Sequence, residues 1–235
     1  MRKLGFVLTA AILSGVLSAP VAAQDAFEGT IDYQMSAGNG MNMEMKTTVK
    51  GTRLRQEMQG SPMGTMVSII DAGSTTITML MPAQKTYMRM NVGGMMEQAQ
   101  AAHAAHGARQ EVKPEDFKPT GEKETIAGHE CEHYEYTQGA MTMDMCVAKG
   151  LGFMPFSNPG GMSARGGSPQ VSATDAAEWR EHFGDGFVML GMEMTQDGTT
   201  MTMRATNVEK KSVGDDVFEV PSDYTEMKMP GGPGR

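Results

Sequence analysis

The stretch that decides the fold is residues 187–207, FVMLGMEMTQDGTTMTMRATN. Apolar and polar side chains alternate on both sides of Asp197-Gly198, which is the pattern of two β-strands joined by a tight turn. The sequence therefore predicts an antiparallel hairpin. A two-residue turn places four thioethers on one face of this hairpin: Met192 opposite Met203, and Met194 opposite Met201.

The same alternation recurs along most of the chain and predicts further strands. They are residues 27–35, 41–46, 53–58, 65–71, 75–81, 84–90, 132–137 and 140–145. Two segments break the pattern and predict helices: residues 95–109, rich in Ala and Gln, and residues 174–183, followed by Gly184. We therefore expect an α+β domain, a curved antiparallel sheet or half-barrel of about ten strands with two short helices as a lid.

The first 23 residues have the pattern of a signal peptide. Arg2 and Lys3 precede an apolar run, and the small residues that end at Ala23 predict cleavage there. No other segment approaches the length of a membrane span. We therefore expect a periplasmic or secreted protein that does not span the membrane. Its organisation would be one domain over residues 24–229, with a flexible loop at 157–170 and a disordered tail at 230–235.

Composition narrows the function classes. The formal charge is −8 for the whole chain and −10 without Arg2 and Lys3, so nucleic acid is a poor partner. After residue 23 the chain has 25 Met against 4 Leu, 5 Ile and 11 Val. The core is therefore expected to consist largely of thioether side chains.

The two cysteines, Cys131 and Cys146, are predicted to form a disulfide. Strand-like runs flank Gln138-Gly139, and a two-residue turn at that dipeptide would place the two cysteines directly opposite each other. The same register would pair Tyr134 with Met143, Tyr136 with Met141, and His133 with Asp144. Export favours an oxidised pair.

Residues 120–134, TGEKETIAGHECEHY, resemble the strand pair of DUF4412, a family of exported bacterial domains of unknown function. The ending DVFEVPSDY at residues 216–224 is similar to the closing motif of that family, and Asp71 and residues 85–88 fit its middle. The resemblance implies the fold of periplasmic lipoprotein carriers, a curved antiparallel sheet around an apolar cavity with helical lids. The family has no assigned catalytic residues.

One motif needs a separate interpretation. His129-Glu130-Cys131-Glu132-His133 matches H-E-x-x-H, the signature of zinc proteases, which works only on a helix. On a strand the two histidines would lie about 13 Å apart, too far to share one ion. The flanking residues favour a strand, so we predict that the protein is not an enzyme.

The methionines at alternate positions leave three interpretations open: plain core, an adaptable ligand cavity, or a site for a soft metal. For the cavity, the predicted lining is Met43, Met79, Met88, Met141, Met143, Met192, Met194, Met201 and Met203. For Cu(I) or Ag(I), the predicted ligands are Met192, Met194, Met201, Met203, His103 and His106.

The leading hypothesis is a non-enzymatic protein that binds an apolar small molecule or lipid without a cofactor. The alternative is a copper-binding envelope protein. The oligomeric state, the ligand and the pathway stay open at this point.

Overall fold

The computed structural model describes residues 26–38, 40–60, 64–71, 74, 76–91, 113–154, 181–183 and 186–227. In these residues β-strands dominate, and helical conformation occurs only in short 3-10 turns and at residues 181–183. The strands are β1 Gly29–Ala37, β2 Asn42–Lys50, β3 Arg53–Gln59, β4 Met66–Asp71, β5 Thr76–Met81, β6 Thr86–Asn91, β7 Lys118–Ile126, β8 His129–Gln138, β9 Met141–Ala148, β10 Val188–Gln196, β11 Thr199–Lys210 and β12 Thr225–Glu226. The 3-10 turns are Pro82–Gln84, Pro114–Asp116 and Asp215–Phe218.

All of these strands form one open sheet in the order β12-β6-β5-β4-β3-β2-β1-β11-β10-β9-β8-β7. Strands that follow one another in sequence are mostly neighbours, as expected when tight turns join antiparallel partners. The pair β1–β11 joins the meander β1–β6 to the meander β7–β11. Only β12 pairs in the parallel direction, with β6.

The predicted count of about ten strands is wrong, because two of the twelve strands have no alternating apolar pattern. Strand β7, KPTGEKETI, is exposed over most of its length, and charged side chains are typical of an edge strand. Strand β12 has two residues and is held to β6 by backbone bonds: Thr225 N–H donates to Lys85 O at 2.9 Å, and Met227 N–H to Tyr87 O at 2.7 Å. The described part of the chain is mostly β.

Several sequence predictions fall outside the described residues. The first predicted helix, 95–109, does so entirely, and the second, 174–183, overlaps the described part only at residues 181–183, which are helical. The predicted signal peptide, the loop at 157–170 and the tail at 230–235 also lie outside it. Among the described residues, no helix has the length and apolar character needed to cross a membrane.

Strand pairing sorts the side chains onto two faces. Across β1 and β2, Tyr33 lies opposite Met45 on one face, and Asp32 lies opposite Lys46 on the other. We call the first the methionine face and the second the polar face. The methionine face carries Met35, Met43, Met45, Met58, Met66, Met79, Met81, Met88, Met90, Met141, Met143, Met145, Met192, Met194, Met201 and Met203.

The main hydrophobic core lies chiefly on the methionine face of β1 and β8–β11, and it reaches β2–β4 through Met45, Val49, Leu54 and Ile70. Aromatic rings from outside the sheet cover β8: the Phe117 ring stacks on Tyr136 with centroids 5.0 Å apart, and the Phe183 ring meets Tyr134 edge-on at 4.9 Å. Such ring pairs stabilise a core beyond the burial of their area. This half of the methionine face is therefore closed by the protein itself.

A second, smaller core lies on the polar face, where the C-terminal segment crosses β4 and β5. It consists of Val67, Ile69, Leu80, Val213 and Phe218. The Arg53 guanidinium lies 4.8 Å from the centroid of the Phe218 ring, in the geometry of a cation–π contact. The segment therefore fastens the chain end to the middle of the sheet.

At the end formed by β7, the sheet curls toward the polar face. Arg204 on β11 donates to the Glu124 carboxylate on β7 at 3.2 Å, although three strands lie between them in the sheet order. Ile126 is buried there, and a Cβ at Gly191 would come within 3.0 Å of its Cδ1 atom. Glycine at residue 191 thus permits β7 to fold onto the sheet.

Candidate functional site: the methionine face

The β10–β11 hairpin has the predicted register. Asp197 and Gly198 form the turn, with φ values of 51° and 78°. Positive φ at both central residues is what a type I′ turn requires. The structure therefore confirms the predicted methionine pairs, Met192 opposite Met203 and Met194 opposite Met201.

The predicted register of the β8–β9 hairpin is wrong. Gln138 pairs with Met141, so the turn consists of Gly139 and Ala140 rather than Gln138 and Gly139. Gly139 has a φ of 60°, and a glycine at the first central position is typical of a type II′ turn. Moving the turn by one residue changes every partner by two positions, so each side chain keeps its face. The observed pairs are Tyr134 with Met145, Tyr136 with Met143, and Glu135 with Asp144.

The predicted disulfide between Cys131 and Cys146 is confirmed, with a Cα–Cα distance of 5.3 Å. The cysteines do not face each other as predicted, since Cys131 lies opposite Ala148 and Cys146 lies opposite His133. The bond therefore runs diagonally across β8 and β9. Diagonal neighbours ordinarily lie about 7–8 Å apart, and strand twist can shorten one of the two diagonals. Both cysteines are buried, which protects the bond from reductants.

The methionines form continuous rows across neighbouring strands. One row joins Met145, Met192, Met203, Met35 and Met43 on β9, β10, β11, β1 and β2. Because the Cβ atoms of directly opposite residues in antiparallel strands lie about 5 Å apart, each methionine in the row is the immediate neighbour of the next. The rows give the methionine face a flexible, polarizable surface.

Burial divides this face into two parts. On β1 and β8–β11 most of the methionines are closed in, with Met145 at 0% and Met192 at 3% exposure, and only Met141 and Met201, next to the hairpin turns, are half-buried. The hydroxyl of Tyr33 is buried in the same part and donates a 2.8 Å bond to Met189 O, and burial raises the pKa of this group. On β3–β6 the methionines are only half-buried. We call this second set the open patch: Met58, Met66, Met79, Met81, Met88 and Met90.

The structure thus separates the residues predicted to line a cavity. Met143, Met192, Met194 and Met203 are buried in the main core. Met43, Met141 and Met201 are half-buried and pack against that core. Met79 and Met88 lie opposite each other in the open patch. Of the predicted set, these two lie outside the main core and outside the residues that pack against it.

The methionines of the copper alternative come together, but in a closed place. Met192, Met194 and Met203 have exposures of 3%, 5% and 4%, and Met201 is half-buried. The predicted imidazole ligands, His103 and His106, lie outside the described residues.

The H-E-x-x-H motif lies on β8, as the flanking sequence predicted, and not on a helix. His133 contacts Asp144 on β9, with Nδ1 and Oδ1 2.7 Å apart. The ligand atoms of Glu124, His133 and Cys146 lie within 4.8 Å of one another. The Cys146 sulfur is bonded to Cys131, so it is not available as a thiolate.

Arg204 pairs with Glu124, the one carboxylate of that cluster. Its guanidinium holds the pKa of Glu124 below its usual range by hydrogen bonding. Glu124 is therefore paired with Arg204, and His133 lies against Asp144, so both side chains already have partners on the surface.

A row of uncharged polar side chains crosses the methionine face, and the sequence pattern did not reveal it. Thr47, Gln56 and Ser68 lie side by side on β2, β3 and β4. Thr47 is 2% exposed, and its Oγ1 atom has no hydrogen-bond partner. The Gln56 amide donates to the Met45 sulfur at 3.7 Å, a weak acceptor. The one signal for this row in the sequence is alternation, because Thr47 follows Met45 by two residues and therefore shares its face.

The polar face has shallow depressions of a different character. One, of about 290 Å³, lies over β1–β3 and is lined by Asp32, Glu44, Lys46 and Glu57 among others. A second, of about 340 Å³, lies over β8–β10 and is lined by Glu135, Asp144 and Glu193 among others. Their charged linings do not suit an apolar ligand.

Comparison with known proteins gives a family. A domain of unknown function, DUF4412, matches residues 27–224. The chain belongs to this family. No curated protein sequence matches it. The family therefore carries no enzyme assignment for the H-E-x-x-H motif and supplies no catalytic residue.

Solved structures of PNGF-II are similar to the chain at low identity. In the C2 space group the TM-score is 0.42 and the identity 16%, with 86% of this chain and 31% of PNGF-II covered. In the P21 space group the TM-score is 0.41 and the identity 15%, with the same coverage. This chain therefore spans about a third of the length of PNGF-II.

Proposed function

We propose that this protein is a non-enzymatic, exported binding protein that holds an apolar ligand against the open patch. The observation that carries the proposal is the half-buried state of these methionines, next to a core that the protein closes by itself. A contiguous apolar surface that stays partly accessible to solvent commonly marks a binding site. The ligand would be an acyl chain or another hydrophobic segment.

Methionine suits such a site for a physical reason. Its side chain is unbranched and polarizable, so a surface of thioethers can adapt to chains of differing shape. The pair Met79 and Met88 lies across β5 and β6, and Met58 and Met66 lie across β3 and β4. An acyl chain on these rows would remove apolar area from water on both partners. In this proposal the sheet acts as a half-barrel with a lid, as in periplasmic lipoprotein carriers.

A soft-metal function would use other methionines than the open patch, so experiments can distinguish it from acyl-chain binding. The pairs Met192–Met203 and Met194–Met201 offer thioethers from facing strands, which suit Cu(I). Their burial requires an ion to enter the main core, and this makes the metal the weaker proposal.

The deciding experiment is native mass spectrometry of the protein isolated gently from the cell envelope. An added mass in the range of a lipid supports the proposal, and titration with a pyrene-labelled acyl chain then gives the affinity. A protein without added mass that also fails to bind the acyl probe refutes it. An added copper mass that is lost in Met192→Leu supports the soft-metal alternative instead.

Substitutions locate the site. Met79→Gln with Met88→Gln keeps the side-chain length but makes the open patch polar, so affinity for the acyl probe should fall about tenfold. The control is Glu44→Gln with Lys46→Gln, two changes on the polar face of β2 that leave net charge unchanged. Equal affinity in both double variants would place the ligand elsewhere.

A further inference from the structure

The unpaired hydroxyls of the sheet point to the chemistry of the ligand head. Among the described residues, the buried side-chain oxygen atoms without a hydrogen-bond partner are Thr47 Oγ1 and Thr86 Oγ1. Register places both on the methionine face, because Thr47 pairs with Ile31 and Gln56, and Thr86 pairs with Met81. Thr47 lies on β2 and Thr86 on β6, so they flank the open patch on its two sides.

An unpaired buried hydroxyl costs free energy, so a partner supplied by a ligand would recover it. The side chain next to Thr47 could also bind such a ligand after a small rearrangement. This neighbour, Gln56, spends an amide N–H on the Met45 sulfur, and this weak bond can be exchanged for one to a carbonyl. Ser68 continues the polar row on β4, directly opposite Gln56.

Charge limits the kind of head that this row can receive. Strands β2–β6 are described in full, and their residues on the methionine face include no Lys, Arg, Asp or Glu. A carboxylate or phosphate buried there would find no counter-charge on these strands, and an unpaired buried charge is strongly disfavoured. An ester, amide or alcohol needs only hydrogen bonds.

We infer that the methionine face selects an uncharged amphiphile, an acyl chain whose ester, amide or alcohol head is received by Thr47, Gln56 and Ser68. The inference rests on the proposed function, because it names the ligand class of the same open patch. The apolar chain lies on the methionines of β3–β6, and the head lies on the polar row that begins at β2.

The test compares oleamide with oleate, which have the same chain and differ in the head, as competitors of the pyrene-labelled acyl chain. The wild-type protein should bind oleamide about tenfold more tightly. Thr47→Val removes the hydroxyl at constant shape and should weaken oleamide binding about fivefold while leaving the affinity for oleate unchanged. Because that hydroxyl has no partner in the free protein, Tm should stay the same or rise.

The matched control is Thr48→Val, on the same strand but on the polar face. It should leave the preference for oleamide unchanged. Equal binding of oleamide and oleate by the wild type, or full oleamide affinity in Thr47→Val, overturns the inference while the proposed function stands. If neither competitor nor the pyrene probe binds, the proposed function itself fails.

Discussion

The hairpins β8–β9 and β10–β11 lie side by side in the sheet and present methionines on the same face, yet they are stabilised in different ways. In β10–β11, the turn Asp197-Gly198 has positive φ at both residues, and opposite methionines fill the core. In β8–β9, only the first turn residue, Gly139, has positive φ, and a buried disulfide joins the strands diagonally.

The difference shows that the position of a glycine within the turn matters more than its presence. A glycine in second place, as in Asp197-Gly198, matches a type I′ turn, and a glycine in first place, as in Gly139-Ala140, matches type II′. A turn with glycine in second place predicts the observed register of β10–β11 but not that of β8–β9. Each side chain of β8 and β9 still lies on its predicted face, because the observed partners differ from the predicted ones by two positions.

The largest effect is expected from a substitution in the core that the two hairpins share. Met145 on β9 is fully buried and lies opposite Met192 on β10. Met145→Ala should lower the free energy of unfolding by about 2–5 kcal/mol, from lost burial and the cavity left behind. Denaturant titration measures this. Met145→Leu, of similar volume, should cost less than about 1.5 kcal/mol. Equal losses in the two variants would show that volume is not what the site requires.

Removing the disulfide would affect only one hairpin. Cys131→Ala with Cys146→Ala should cost about 3 kcal/mol, because the bond closes a loop with a sequence separation of 15. Reductant under denaturing conditions should lower the stability of the wild type to that of the variant and leave the variant unchanged. A variant as stable as the oxidised wild type would mean that the strands need no covalent link.

Substitutions in the β8–β9 turn test whether Gly139 and Ala140 are its two central residues. Gly139→Ala should cost about 1–2 kcal/mol because it places a Cβ in the left-handed region. Ala140→Ser should stay within about 0.5 kcal/mol, since residue 140 does not need positive φ. Thermal unfolding of the two variants separates these effects. The opposite ranking would return the turn to Gln138-Gly139.

The smallest effect concerns the ion pair outside the hairpin cores. Arg204 lowers the pKa of Glu124 from its ordinary value of 4.5. A carboxylate with a lowered folded-state pKa contributes stability above the ordinary value, and that contribution is lost as pH falls through the lowered one. Both groups are largely exposed, so the contribution is about 0.5 kcal/mol or less. Arg204→Gln should reduce stability at pH 7 but not at about pH 2, as measured by urea unfolding. An equal loss at both pH values would assign the effect to packing.

Much of the fold could be predicted from alternation, because a period of two fixes which side chains share a face. The pairs Met192–Met203 and Met194–Met201 and the bond between Cys131 and Cys146 followed from it. Strands β7 and β12 could not be predicted this way, since one is charged and the other has two residues.

The polar row on the methionine face could be predicted only in part. Alternation from Met43 and Met45 puts Thr47 on their face. Only the pairing of β2 with β3, and of β3 with β4, shows that Gln56 and Ser68 lie beside it. A single sequence also could not show that the open patch and the covered methionines differ, because burial depends on what packs above the sheet.

The unlike ends of the sheet have a consequence for behaviour at high concentration. An open sheet offers rows of backbone groups that can recruit strands from other molecules into fibres. At one end, β7 carries Lys and Glu side chains and folds back toward β11, so its outer edge is charged and bent. At the other end, β12 occupies the start of β6. This arrangement leaves little free, straight strand edge at either end of the described sheet for a strand of another molecule to pair with.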